Sequence, residues 1–108
     1  MSVGIIDGNI AKMFIVNVTL SPALIAQATT AEQTLTVTGL KTGDFVFANK
    51  PTAQAGLGIV GFRVSAADTL AVTFCNVPAG GNITPTASQV YTILVVRPEG
   101  SPPSSIVA

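Results

Sequence analysis

Few side chains in this sequence could move a proton, hold a metal ion or attack a substrate. The carboxylates Asp7, Glu32, Asp44 and Asp68 are the candidates for paired-acid hydrolysis of a glycosidic bond. Asp44 and Asp68 stand beside turn signals, where an aspartate commonly bonds to nearby backbone, and both are read as turn residues. There is no histidine, which removes Ser-His-Asp and Cys-His catalysis and histidine metal sites. Cys75 is the single cysteine, so neither an internal disulfide framework nor a cysteine-only zinc site can form. It is read as a small strand residue. A calcium loop needs several oxygen ligands close together, and no segment has two acids within six residues.

The loop Thr52–Gly58, T-A-Q-A-G-L-G, has glycines that could let backbone N–H groups approach a phosphate. It lacks the Walker spacing and the Lys-Ser or Lys-Thr that should follow, and no amphipathic helix comes after it. A tight loop fitted against a neighbour is expected instead. Asn17-Val18-Thr19 and Asn82-Ile83-Thr84 fit the glycosylation sequon, which a Thr-rich chain offers by chance. One Tyr and no Trp supply little for stacking on bases or sugars. The expectation is a chain with no catalytic site, cofactor, metal or small-molecule substrate.

Composition points to association. In 108 residues, charged side chains make up 9%, against about 25% in an ordinary soluble domain. Five basic and five acidic residues cancel, leaving no field to steer the protein to nucleic acid or an anionic membrane. No stretch approaches the roughly 18 uninterrupted apolar residues of a membrane span. A neutral surface of small and apolar residues tends to associate, so work inside an assembly is expected.

The elements that must present this surface are strands. Leu70, Val72 and Phe74 alternate with Thr69, Ala71, Thr73 and Cys75, the period-two pattern of a strand with one buried face. Phe45–Ala48 and Leu57–Val64 precede it, with Val60, Phe62 and Val64 assigned to one face and Ile59, Gly61 and Arg63 to the other. Gly61 in mid-strand suggests a bulge or a close backbone approach. Upstream, Phe14, Val16, Val18 and Leu20 alternate with Met13, Ile15, Asn17 and Thr19. Lys12, the apolar run after it and Ala26-Gln27-Ala28 imitate a secretory signal. Asp7 precedes the run, Lys12 is its only positive side chain, and Asn17, Thr19, Ser21 and Pro22 interrupt it, so the segment is read as a strand. A helical turn is placed at Ala23–Thr30, with Leu24 and Ile25 plugging the core. Leu35 and Val37 point inward from Glu32–Thr38.

Val90–Arg97 is the last strand, with Tyr91, Ile93 and Val95 on one face and Val90, Leu94 and Val96 on the other. The expected fold is all-β, a single-domain antiparallel β-sandwich of jelly-roll-like type with six or seven strands. It divides into an arm or edge strand over 1–11, the sandwich over 12–97 and a flexible tail over 98–108. Because antiparallel sheets usually alternate, a strand apolar on both faces is either central to the sandwich or half-buried against a partner subunit, and a subunit contact on one such second face is expected. The candidate contacts are Met13, Ile15, Val90, Leu94 and Val96. Lys50 and Arg63 are read first as free, solvated charges at strand ends, with pairing to acids of a neighbouring subunit as the alternative, and Ile106 and Val107 in the tail, like Val3–Ile6, could act as arms.

The stretch from Val18 to Arg97 resembles the capsid cement or decoration proteins of tailed double-stranded DNA bacteriophages. The likeness is carried by V-T-L-S-P-A (Val18–Ala23), T-A-E-Q-T-L-T-V-T-G-L (Thr30–Leu40), N-K-P-T-A-Q-A-G-L-G-I-V (Asn49–Val60), R-V-S-A-A-D-T-L-A-V-T-F-C-N (Arg63–Asn76) and I-T-P-T-A (Ile83–Ala87) leading into Y-T-I-L-V-V-R (Tyr91–Arg97). The resemblance implies a jelly-roll-like fold and a place on the outer surface of the virion, after synthesis in the host cytoplasm. Its partners would be the major capsid protein and itself, as dimer or trimer, with no nucleic acid and no membrane. The alternative is a β-sandwich binding module of a phage fibre or a secreted or surface adhesin that recognises carbohydrate or protein.

Overall fold

The alternating runs become strands that bury one face each. The computed structural model describes residues 8–78 and 80–105, and among them there are six strands and no helix. These are β1 (Ile10–Leu20), β2 (Thr29–Thr36), β3 (Phe45–Asn49), β4 (Leu57–Ala66), β5 (Thr69–Asn76) and β6 (Gln89–Pro98). They form two three-stranded antiparallel sheets, ordered β1-β6-β3 and β2-β5-β4. The inner faces meet in one core of a small β-sandwich. Leu70, Val72 and Phe74 of β5 face Tyr91, Ile93 and Val95 of β6, with Leu20, Ile25, Val37, Leu40 and Val46 around them. Burying each such side chain stabilises by about 1.5–3 kcal/mol. The eight-strand, double Greek-key pattern of a jelly roll is a finer statement than these six strands carry.

Two local expectations are corrected. Ala23–Thr30 is not a helical turn: Ile25 makes an isolated bridge to Ile83, with N–H···O distances of 2.7 and 3.0 Å, and β2 already begins at Thr29. Extended backbone there lets Ile25 plug the core as expected, while Leu24 faces solvent. In β4 the pairing skips Val60, with Ile59 opposite Phe74 and Gly61 opposite Thr73. The bulge inverts the side-chain parity. Ile59 therefore packs on the core with Phe62 and Val64, and Val60 is exposed. Gly61 marks this bulge, and a Cβ there would meet open space, so no backbone presses on it.

The loops are fixed by the aspartates that read as turn residues. Asp68, at φ 59° between β4 and β5, accepts from the Gly39 N–H at 2.7 Å. Its own N–H donates to the Leu40 carbonyl at 2.9 Å. Asp44 accepts from the Lys41 N–H at 2.9 Å and from Arg97 Nε and Nη2 at 2.9 and 2.8 Å. Arg97 also donates to the Gly39 carbonyl and lies 5.6 Å over the Phe14 ring. This cluster closes one end of the sandwich. The loop Thr52–Gly58 does fit tightly against a neighbour: a Cβ on Gly56, at φ 82°, would come within 2.6 Å of Pro78 Cγ.

Candidate functional site: the outer face of the β1-β6-β3 sheet

Period-two geometry sends alternate residues of β1, β6 and β3 outward, and the register lines them up in rows. Met13, Val96 and Phe45 form one row, and Ile15, Leu94 and Phe47 the next. Asn17, Thr92 and Asn49 form a polar row beyond them, and Thr19 pairs with Val90 at the end. The Thr92 hydroxyl donates to Asn17 Oδ1 at 2.8 Å, which fixes this polar border. Six large apolar side chains thus lie contiguous on one sheet face. Ile15 is 71% exposed, Phe45 64%, Phe47 63% and Met13 49%, while Leu94 and Val96 in the central strand are half-buried between them. Single apolar residues on a surface are ordinary, but a contiguous patch marks an interaction site. The patch continues around the β3 edge, where Phe45, Phe47 and Val60 line a trough beside β4.

Met13, Ile15, Leu94 and Val96 are therefore brought together, with Val90 beyond the polar row. Arg63 is not among them. It lies on the other sheet and binds Glu32 of the same chain through Nε and Nη2 at 2.7 and 2.8 Å. That bond holds the Glu32 carboxyl below its usual range. Lys50 donates to the Thr52 carbonyl at 2.8 Å at the end of β3, and its partial burial lowers its pKa. Ile106, Val107 and Val3–Ile6 lie outside the described residues. Phe45 and Phe47 were missed as face residues. Their signal was two aromatics spaced two apart in a five-residue strand, which marks one face without saying which.

A second apolar feature lies along β1. Phe14 and Val16 point to the inner side, opposite Val95 and Ile93, yet both remain exposed because no strand of the other sheet covers them. With Val37, Leu40, Val95 and Arg97 they line an open groove of about 200 Å³. Among the described residues, no three His, Cys, Asp or Glu side chains come together. The Asp44 carboxylate is taken up by Arg97, whose hydrogen bonds hold it below the usual range despite burial. No family model, curated protein or solved structure matches the chain.

Proposed function

We propose that this chain is a non-enzymatic structural protein that docks through the outer face of the β1-β6-β3 sheet. In the specific form of the reading, it is a homo-oligomeric cement protein on a phage capsid lattice. The carrying observation is the two uncharged rows Met13–Val96–Phe45 and Ile15–Leu94–Phe47, in which Met13, Ile15, Phe45 and Phe47 are exposed. Removing such side chains from water stabilises a complex, and aromatic residues at the centre of a patch supply most of that gain. The resemblance spanning Val18–Arg97 is what points to a capsid rather than to another assembly. Low charge and the engaged state of both turn aspartates agree with a protein that binds rather than reacts.

The tests are whether the neighbouring reading frame encodes a major capsid protein and whether this chain cosediments with capsids assembled from it. The native chain should bind saturably, and Leu94→Lys should abolish binding while its circular dichroism stays native, since Leu94 points out of the core. Absence of a neighbouring capsid gene, or full binding by Leu94→Lys, overturns the capsid docking.

A further inference from the structure

We propose that β1 is a self-association edge, on which a second copy of this chain adds its own β1 antiparallel about a two-fold axis through Ile15. This deepens the homo-oligomeric part of the proposed function and rests on it. Among the described residues four strands are edges, and three of them are guarded. β2 carries Glu32, tied to Arg63. β4 carries Arg63 and irregular pairing at two places, between Ile59 and Gly61 and between Val64 and Ala66. β3 is only five residues long and stands beside β4. β1 runs for eleven residues with β6 on one side, and its irregularity is confined to the end, between Ile10 and Lys12. From Met13 to Leu20 it has neither charge nor proline. An unpaired row of backbone donors and acceptors flanked by apolar side chains is a template for another strand.

The occupant is a second copy because β1 is complementary to itself in this register. Ile15 meets its own equivalent, Phe14 meets Val16, and Met13 meets Asn17, all without a charge opposite a like charge. Lys12 falls opposite Val18. Aromatic and β-branched side chains are a favourable cross-strand pair. Phe14 and Val16 of each copy would cover the groove beside the other, so one contact pairs the edge and closes the exposed inner side. The result is a continuous six-stranded sheet, β3-β6-β1 joined to its mate, with two outer apolar faces turned the same way and left free for a lattice.

Opposed antiparallel residues stand about 4.5–5.5 Å apart at Cα, within reach of a disulfide. In a Cys75→Ser background, Ile15→Cys should therefore cross-link into a dimer under mild oxidation. Thr19→Cys, also exposed but far from the axis, should not. Val16→Lys should weaken the dimer at least tenfold by analytical ultracentrifugation yet still bind capsids, whereas Leu94→Lys should keep the dimer and lose the capsid. A monomeric or trimeric native chain, equal cross-linking at both positions, or no cross-linking at Ile15→Cys overturns the β1 pairing. The capsid assay reports separately on the docking face.

Discussion

The two sheets turn opposite surfaces to solvent. Across the outer face of β2-β5-β4 the register sets Glu32, Thr73 and Gly61 in one row and Thr34, Ala71 and Arg63 in the next. The corresponding rows of β1-β6-β3 are Met13, Val96 and Phe45, then Ile15, Leu94 and Phe47. Both sheets have the same strand count and share the core, so burial inside does not explain the difference. One outer face is built of small hydroxyls and an ion pair that water can solvate, and the other is built of side chains that gain only by leaving water. A face of the second kind has a use only when something covers it.

Each sheet also carries one bidentate Arg–carboxylate pair of nearly the same geometry. Arg63–Glu32 lies across the polar face with side chains 62% and 35% exposed, whereas Arg97–Asp44 is 17% and 1% exposed. Exposed pairs add little because water and salt screen them. A dry pair is different, because removing one partner strands the other charge.

The largest expected effect tests that contrast. Asp44→Asn should lower the urea midpoint well beyond Arg63→Ala, because it removes the carboxylate that pairs with the Arg97 charge and accepts from the Lys41 N–H. A loss no greater than that of Arg63→Ala would place the two pairs in one class. Next comes Phe47→Lys, which should weaken capsid binding by roughly thirtyfold, the size of a single interface hot spot. Thr34→Lys on the polar face should leave binding unchanged, and equal effects would erase the distinction between the faces.

A smaller effect concerns acid. The folded Asp44 carboxyl titrates below its ordinary value, so its stabilisation is present above about pH 4. It is lost as pH falls from there through the folded value. Native stability should therefore fall in that window more steeply than that of Asp44→Asn, and parallel curves would remove Asp44 as the cause. Smallest is Arg63→Ala, which should leave the thermal midpoint within experimental scatter.

Much of the strand content was legible because alternation needs only local geometry. Leu70, Val72 and Phe74 fix a buried face by themselves, while Tyr91, Ile93 and Val95 mark one of two apolar faces of their strand, and all six are core residues. The roles of Asp44 and Asp68 as turn residues also follow from position and side-chain chemistry. Excess apolar residues on β1 and β6 announced a second apolar surface before any pairing was known. Other features needed the assembled chain. Val60 and Ile59 exchange faces because of a pairing slip with β5, and no periodicity in β4 alone encodes that slip. Ile25 and Ile83 are brought together across long sequence separation, which replaces a helical turn by a bridge.

By itself the sequence determined that this is a β-rich, low-charge chain without histidine chemistry and with more apolar strand surface than one core can absorb. Tertiary structure decided which surfaces those residues share. β6 sits between β1 and β3, so Met13, Phe45 and Val96, distant in sequence, become one row. Arg63, which read as a free charge, finds Glu32 only because β2 and β4 flank β5. Strand periodicity is a property of consecutive residues, while strand order and register follow from which pairings bury the core best, and those pairings are made across the whole chain.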